Sequence, residues 1–244
     1  MSHAYLVIGA AGGIGVEVCR KLVASGSRVM LAGRQESSLQ SLATELGQPF
    51  ATVDARDWPQ TSELVSQAVD EFGRLDGAAN LAGSLLLKPA HLTSMEDWRD
   101  VVDQNLTTAM GLVRAAAPAM RSHGGSIVLM SSGAATIGLA NHEAIAAVKA
   151  GVEGLTRAAA ATYASSGVRV NAVAPGLTQT PLTQRVWSSP RGAEASVAMH
   201  PLGRLGQPAE IASAVCWLLA AEQGWVTGQV LAVDGGLSRL KTQR

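Results

Sequence analysis

Aromatic side chains make up only 4% of this 244-residue chain, so a core of large rings is excluded. With 47% hydrophobic residues a sizeable core is still available, packed largely by Gly and Ala where helices press closely on a sheet. Cysteine is nearly absent. Cys19 and Cys216 each fall on the apolar side of a predicted helix and outside any metal-ligand spacing, so both read as buried small hydrophobes and no metal site is expected. An excess of charge is also missing: 19 Lys plus Arg balance 19 Asp plus Glu, with no basic cluster. No field of one sign recruits nucleic acid or an anionic membrane. No apolar run approaches the length of about 20 residues that crosses a bilayer. The short apolar run 1–8 lacks a basic flank and reads as a first strand, not a signal peptide. A soluble cytoplasmic protein with a small-molecule partner is the expectation.

What is present is a regular alternation. Apolar runs of strand length lie at 5–8, 28–32, 49–53, 77–81, 126–130, 169–173 and 230–233. Helix-period segments fall at 13–25, 36–46, 60–72, 95–122, 142–164 and 208–221. Strands apolar on both faces imply a parallel sheet covered on both sides. The pattern predicts an α/β fold, a Rossmann-like doubly wound sheet of about seven parallel strands. No linker, repeat or low-complexity segment divides it, so residues 1–244 are expected to form a single dinucleotide-binding domain.

The first strand runs into Gly9-Ala10-Ala11-Gly12-Gly13-Ile14-Gly15, and a helix starts at once. Glycines there allow a tight turn and close backbone approach to a pyrophosphate, while the helix N-terminus offers free N–H groups and positive dipole. Gly9, Gly12, Gly13, Ile14 and Gly15 are therefore candidate cofactor contacts. The second strand ends in Gly33-Arg34, where an NAD site would place a carboxylate for the ribose 2′-hydroxyl. The charge and fork of Arg34 suit a 2′-phosphate, so NADP(H) is favoured and NAD(H) is possible. After the third strand, Asp54-Ala55 offers a carboxylate to the adenine amino group, or a cap for the next turn.

The fourth strand leads into Asn80-Leu81-Ala82-Gly83. A long helix follows with Asn105, then a strand-end Ser132, a helical Lys149, Pro175-Gly176 with Thr178 and Thr180, and Asp234-Gly235-Gly236. In order and spacing this set resembles the short-chain dehydrogenase/reductase family over the whole chain. The resemblance implies hydride transfer between nicotinamide and an alcohol or carbonyl carbon. A serine would orient the substrate oxygen, a lysine would bind the nicotinamide ribose, and an asparagine would position that lysine through water. Ser132, Lys149 and Asn105 match these roles. It also implies cofactor contacts at Asp54, Asn80, Ala82, Gly83, Lys149, Pro175, Gly176, Thr178 and Thr180.

The fourth catalytic position of the family is a tyrosine four residues before the lysine. Here it is Ile145, which can carry no proton. Ile8 and Leu81 are milder departures, in place of a threonine and an asparagine. His142 lies seven positions before Lys149 on the same helical face, and enoyl reductases of the superfamily place their tyrosine at this wider spacing. With Asn141 as a plausible N-cap, His142 would sit in the first turn. Its neutral ring could hydrogen-bond a carbonyl, or it could serve as the acid. A pocket-rim histidine without a chemical role is the alternative. His200 is read as structural, and Tyr163 falls late in its helix, far from the strand ends.

Residues 181–199, with little periodicity, are expected to form a lid over an apolar substrate. The Ala-rich helix and the last strand resemble the family's dimer and tetramer contacts, so a homo-oligomer is expected, a tetramer or a dimer. Two functions follow from these residues. One is an atypical oxidoreductase in which His142 or a lysine-linked water supplies the proton. The other is a catalytically inactive dinucleotide-binding sensor or assembly partner.

Overall fold

The computed structural model describes residues 2–241. Its sheet has seven parallel strands in the order β3-β2-β1-β4-β5-β6-β7. They are β1 Ala4–Ile8, β2 Arg28–Gly33, β3 Phe50–Thr52, β4 Gly77–Asn80, β5 Gly125–Met130, β6 Val168–Pro175 and β7 Val230–Val233. Each expected strand is present. In β1 the pleat sends Ala4, Leu6 and Ile8 into one apolar layer and Tyr5 and Val7 into the other. Helices α1 Gly13–Ala24, α2 Glu36–Leu46 and α9 Pro208–Leu219 cover the Tyr5 face. Helices α3 Trp58–Phe72, α5 Thr108–Met120 and α6 Glu143–Tyr163 cover the other. The order in which strands are added reverses between β1 and β4, where an open parallel sheet leaves its ligand crevice.

The buried Arg169 of β6 donates to Leu218 O and Ala220 O, satisfying carbonyls at the end of α9, and to Val226 O before β7. Both cysteines are free. Burial pushes the Cys19 thiol well above its ordinary value and Cys216 up to about 11, which leaves them as inert packing groups. No helix among the described residues is long and apolar enough to cross a membrane.

Three expectations are corrected. The single helix 95–122 is α4 Met95–Val102, a π segment Asp103–Thr107, and then α5. Apolar periodicity carries across the insertion, which is why the sequence reads as continuous. The aperiodic 181–199 region holds a 3-10 turn Pro181–Thr183, α7 Gln184–Trp187 and α8 Pro190–Met199. Ser189 caps α8 by accepting from Gly192 N, a local signal that periodicity alone overlooks. Asn141 is not a helix cap. It holds a left-handed φ of 63°, and His142 is the N-cap residue of α6.

Candidate active site

The C-terminal edges of β1, β2, β3 and β4 enclose a groove lined by Gly9, Gly12, Gly13, Ile14, Gly15, Arg34, Asp54, Ala55, Ala82 and Gly83, all expected there. Gly9 has φ +82°, and a Cβ on it would stand 2.8 Å from Ala82 N. A Cβ on Gly15 would meet Gly9 O, so the loop and helix close on each other only without side chains. At the start of α1 no side chain caps the helix. The N–H groups of Gly13, Ile14 and Gly15 have no hydrogen-bond partner among the described residues. These donors, at a positive helix end with no acidic residue in the first turn, fit the pyrophosphate of a dinucleotide.

Two expected contacts sit differently. Asn80 is buried behind the groove wall, donating to Thr108 Oγ1 and accepting from Ala82 N, so it shapes the turn rather than facing a ligand. The Asp54 carboxylate accepts from the backbone N–H of Arg56 and from its guanidinium Nε at 2.9 Å and Nη2 at 2.5 Å. Asp54 thus closes a local turn through Arg56 N while still lining the groove, and the cap of α3 is Asp57. Arg56 and Gln104, both unflagged by sequence, join the groove lining.

Deeper in the cleft, one lobe brings together Asn105, Ser132, Lys149, Pro175, Gly176, Thr178 and Thr180. Lys149 comes from α6 and Ser132 from the end of β5; Asn105 comes from the π segment. Asn105 is buried and donates through Nδ2 to Ser84 Oγ and Val101 O, while its Oδ1 accepts from Ser84 N. A Cβ on Gly83 would lie 2.7 Å from Asn105 Oδ1 and 3.6 Å from Lys149 Nζ. The Lys149 ammonium donates to Met130 O at 2.9 Å, and burial lowers its pKa to about 8. Ser132 Oγ accepts from Ala134 N, and the residue lines the lobe. Ile145 lines this lobe and packs on Val101 and Val148 in a small apolar cluster.

A second lobe continues outward past Ser132, Ile145 and Gly176, lined chiefly by apolar residues and by His142, Ser196 and His200. It carries no Asp, Glu, Lys or Arg. The two histidines differ in what they can still do. His200 is buried; its Nδ1 lies 2.6 Å from Ser196 O, and its Nε2 accepts from Leu177 N at 3.1 Å. Both nitrogens are engaged, which agrees with the structural reading. His142 Nδ1 lies 2.7 Å from Ala140 O. A carbonyl only accepts, so Nδ1 carries the hydrogen, and Nε2 of the neutral ring is an acceptor with no partner among the described residues. The expected role of the neutral ring as donor to a carbonyl is therefore corrected: neutral His142 presents an acceptor at Nε2. Neither tyrosine reaches the cleft. Tyr5 is buried in β1 with its hydroxyl pushed up to about 12 by burial, and Tyr163 ends α6.

Comparison with known proteins gives a consistent picture. Residues 9–238 match the family model described as Enoyl-(Acyl carrier protein) reductase. The chain is 36% identical over 240 residues to a 3-oxoacyl-(acyl carrier protein) reductase of Thermotoga maritima, covering 95% of this chain and 96% of that one. It is 38% identical over 238 residues to cis-4-hydroxycyclohexanecarboxylate dehydrogenase of Sinomonas cyclohexanicum, covering 95% and 94%. A short-chain type dehydrogenase/reductase structure from Mycobacterium ulcerans superposes with TM-score 0.93 at 33% identity, over 98% of this chain and 91% of that one. A variant of actinorhodin polyketide ketoreductase with NADPH gives TM-score 0.91 at 32% identity, over 98% of each chain.

Proposed function

The chain belongs to the short-chain dehydrogenase/reductase family, and we propose that it interconverts a secondary alcohol and a ketone of a small, apolar substrate, with NADP(H) preferred. The nicotinamide of the bound cofactor would supply or accept the hydride. The observation that carries this reading is the meeting of Asn105, Ser132 and Lys149 in one lobe of the cleft, opening onto a second lobe free of charged side chains. A decayed site would have no reason to retain three polar groups among apolar walls.

Each residue has a distinct task in this reading. Ser132 hydrogen-bonds the substrate oxygen. Lys149, with one of its three N–H donors spent on Met130 O, presents the others to the nicotinamide ribose hydroxyls. Asn105, held by Ser84 and Val101 O, keeps the lysine end of the lobe polar. His142 takes the place of the absent tyrosine: its free Nε2 accepts the hydroxyl proton in oxidation and, once protonated, returns it in reduction. The exposed Arg34 receives the 2′-phosphate. Residues 181–199 close over the substrate. Self-association fits the fully exposed Trp225 near the edge strand β7, and we propose a homo-oligomer on that ground.

The test is NADPH and NADH oxidation across neutral ketones, diketones and enones, and the reverse reaction with the matching alcohols. Turnover above a Lys149→Ala control is expected, with NADPH preferred. Tight nucleotide binding without turnover on any substrate would instead identify a dinucleotide sensor.

A further inference from the structure

Two arginines line the groove at the ends of neighbouring strands, Arg34 after β2 and Arg56 after β3. Their electrostatic surroundings differ. Arg34 is exposed and enters no ion pair among the described residues. Arg56 is locked by Asp54, whose two carboxylate oxygens take its Nε and Nη2 side by side. Asp100 and Asp103, on α4 and the π segment, add further negative charge around it. One guanidinium thus answers to three carboxylates. The carboxylates around Arg56 make it a poorer seat for a phosphate dianion than Arg34, which also neighbours Asp54 but is gripped by no carboxylate.

What Arg56 retains is its plane. Gripped along one edge by a carboxylate, the guanidinium is held in orientation while the Arg56 side chain stays 43% exposed. Gripped in this way, Arg56 lines the groove together with Ala55, a small apolar residue, and Gln104. A planar cation beside a small apolar floor suits an aromatic base, by stacking and cation–π attraction. Both oxygens of Asp54 hold Arg56, so one contribution of this carboxylate is to orient the guanidinium.

We propose that Arg56 forms the wall on which the adenine ring stacks, with Asp54 as its positioning residue, and that the 2′-phosphate is left to Arg34. The proposal rests on the reading of this groove as a dinucleotide site. It separates two tasks that charge alone would assign to both arginines.

Equilibrium binding by calorimetry tests it with the intact protein and three probes: NADP+, NAD+ and nicotinamide mononucleotide, which has no adenine. Arg56→Ala is expected to weaken NADP+ and NAD+ by the same factor, roughly tenfold, and to leave the mononucleotide unchanged. Arg56→Lys, which keeps charge but loses the plane, should restore little. Asp54→Asn should weaken both dinucleotides less than Arg56→Ala does. Arg34→Ala should weaken NADP+ selectively. A loss confined to NADP+ in Arg56→Ala would make Arg56 a phosphate ligand and overturn the proposal, as would unchanged binding or full rescue by lysine. If the wild-type protein binds neither dinucleotide, the cofactor reading itself fails. Melting curves of each variant show whether an affinity loss comes from unfolding; both side chains are substantially exposed, so little change is expected.

Discussion

The indole N–H of Trp58, at the start of α3, donates to the main-chain oxygen of Thr107 at 3.1 Å, inside the π segment that carries Asn105. A side chain from another helix thus adds a hydrogen bond to the π segment. Gly111 makes the approach possible, since a Cβ there would stand 2.8 Å from the Trp58 ring. The side chain is thus a remote prop for the polar end of the cleft. Trp58→Phe keeps most of the ring and removes the donor. It should cost about 1 kcal/mol of stability and lower kcat severalfold, while Gln67→Ala, on the exposed side of α3, should change neither. Thermal melts with kinetics on both variants decide the matter. Wild-type behaviour in Trp58→Phe would remove the prop.

The two histidines of the outer lobe should separate cleanly. His142→Ala removes the open Nε2 acceptor and one exposed hydrogen bond, from Nδ1 to Ala140 O, so stability should fall by no more than about 1 kcal/mol while kcat falls by about 10²–10⁴. Added imidazole should recover part of that loss. His200→Ala leaves the Leu177 N–H and Ser196 O without their partner and should cost about 1–3 kcal/mol. Full activity in His142→Ala would end its candidacy as the proton carrier.

Ile145→Tyr returns a phenol to the position one helical turn before Lys149. The larger ring must enter the cluster with Val101 and Val148, so a destabilisation of about 1–3 kcal/mol is expected. Against that, turnover should rise about tenfold or more if Ser132, Lys149 and Asn105 are otherwise competent. Loss of activity without loss of fold would mean that the cleft has been rebuilt around the isoleucine.

Lys149 should report its burial through pH. Its pKa falls from an ordinary 10.5 to about 8 in the folded protein because burial disfavours the ammonium. Between those values the unfolded chain binds more protons, so stability rises with pH. The cost is fully present below pH 8 and is relieved as pH climbs toward 10.5. Relative to wild type, Lys149→Met should therefore lose roughly 1–3 kcal/mol of advantage between pH 7 and pH 10. Paired denaturant titrations at the two pH values measure it; a constant difference would contradict a depressed lysine.

Much of the fold was legible because it depends on local pattern. Strand-length apolar runs recur between amphipathic helices, and each corresponds to an observed strand. The glycine loop was legible for a similar reason: Gly9 and Gly15 have no room for a Cβ, so the residue type itself records the geometry. The break at Asp103–Thr107 was not legible, because a π insertion adds one residue per turn without disturbing composition. Helix α8 escaped for lack of a periodic apolar face, although its Ser189 cap and following Pro190 were in view.

By itself, the amino-acid sequence determined the doubly wound sheet, the dinucleotide loop and the roster of polar groups, because periodicity and glycine placement are properties of short segments. Only the tertiary structure decided what those groups are free to do. Asp54 pairs with Arg56, Asn80 turns inward to Thr108, and His142 and His200 share a tautomer but differ in whether Nε2 is engaged. Such distinctions depend on which donor meets which acceptor across elements distant in sequence, and spacing along the chain carries no record of that.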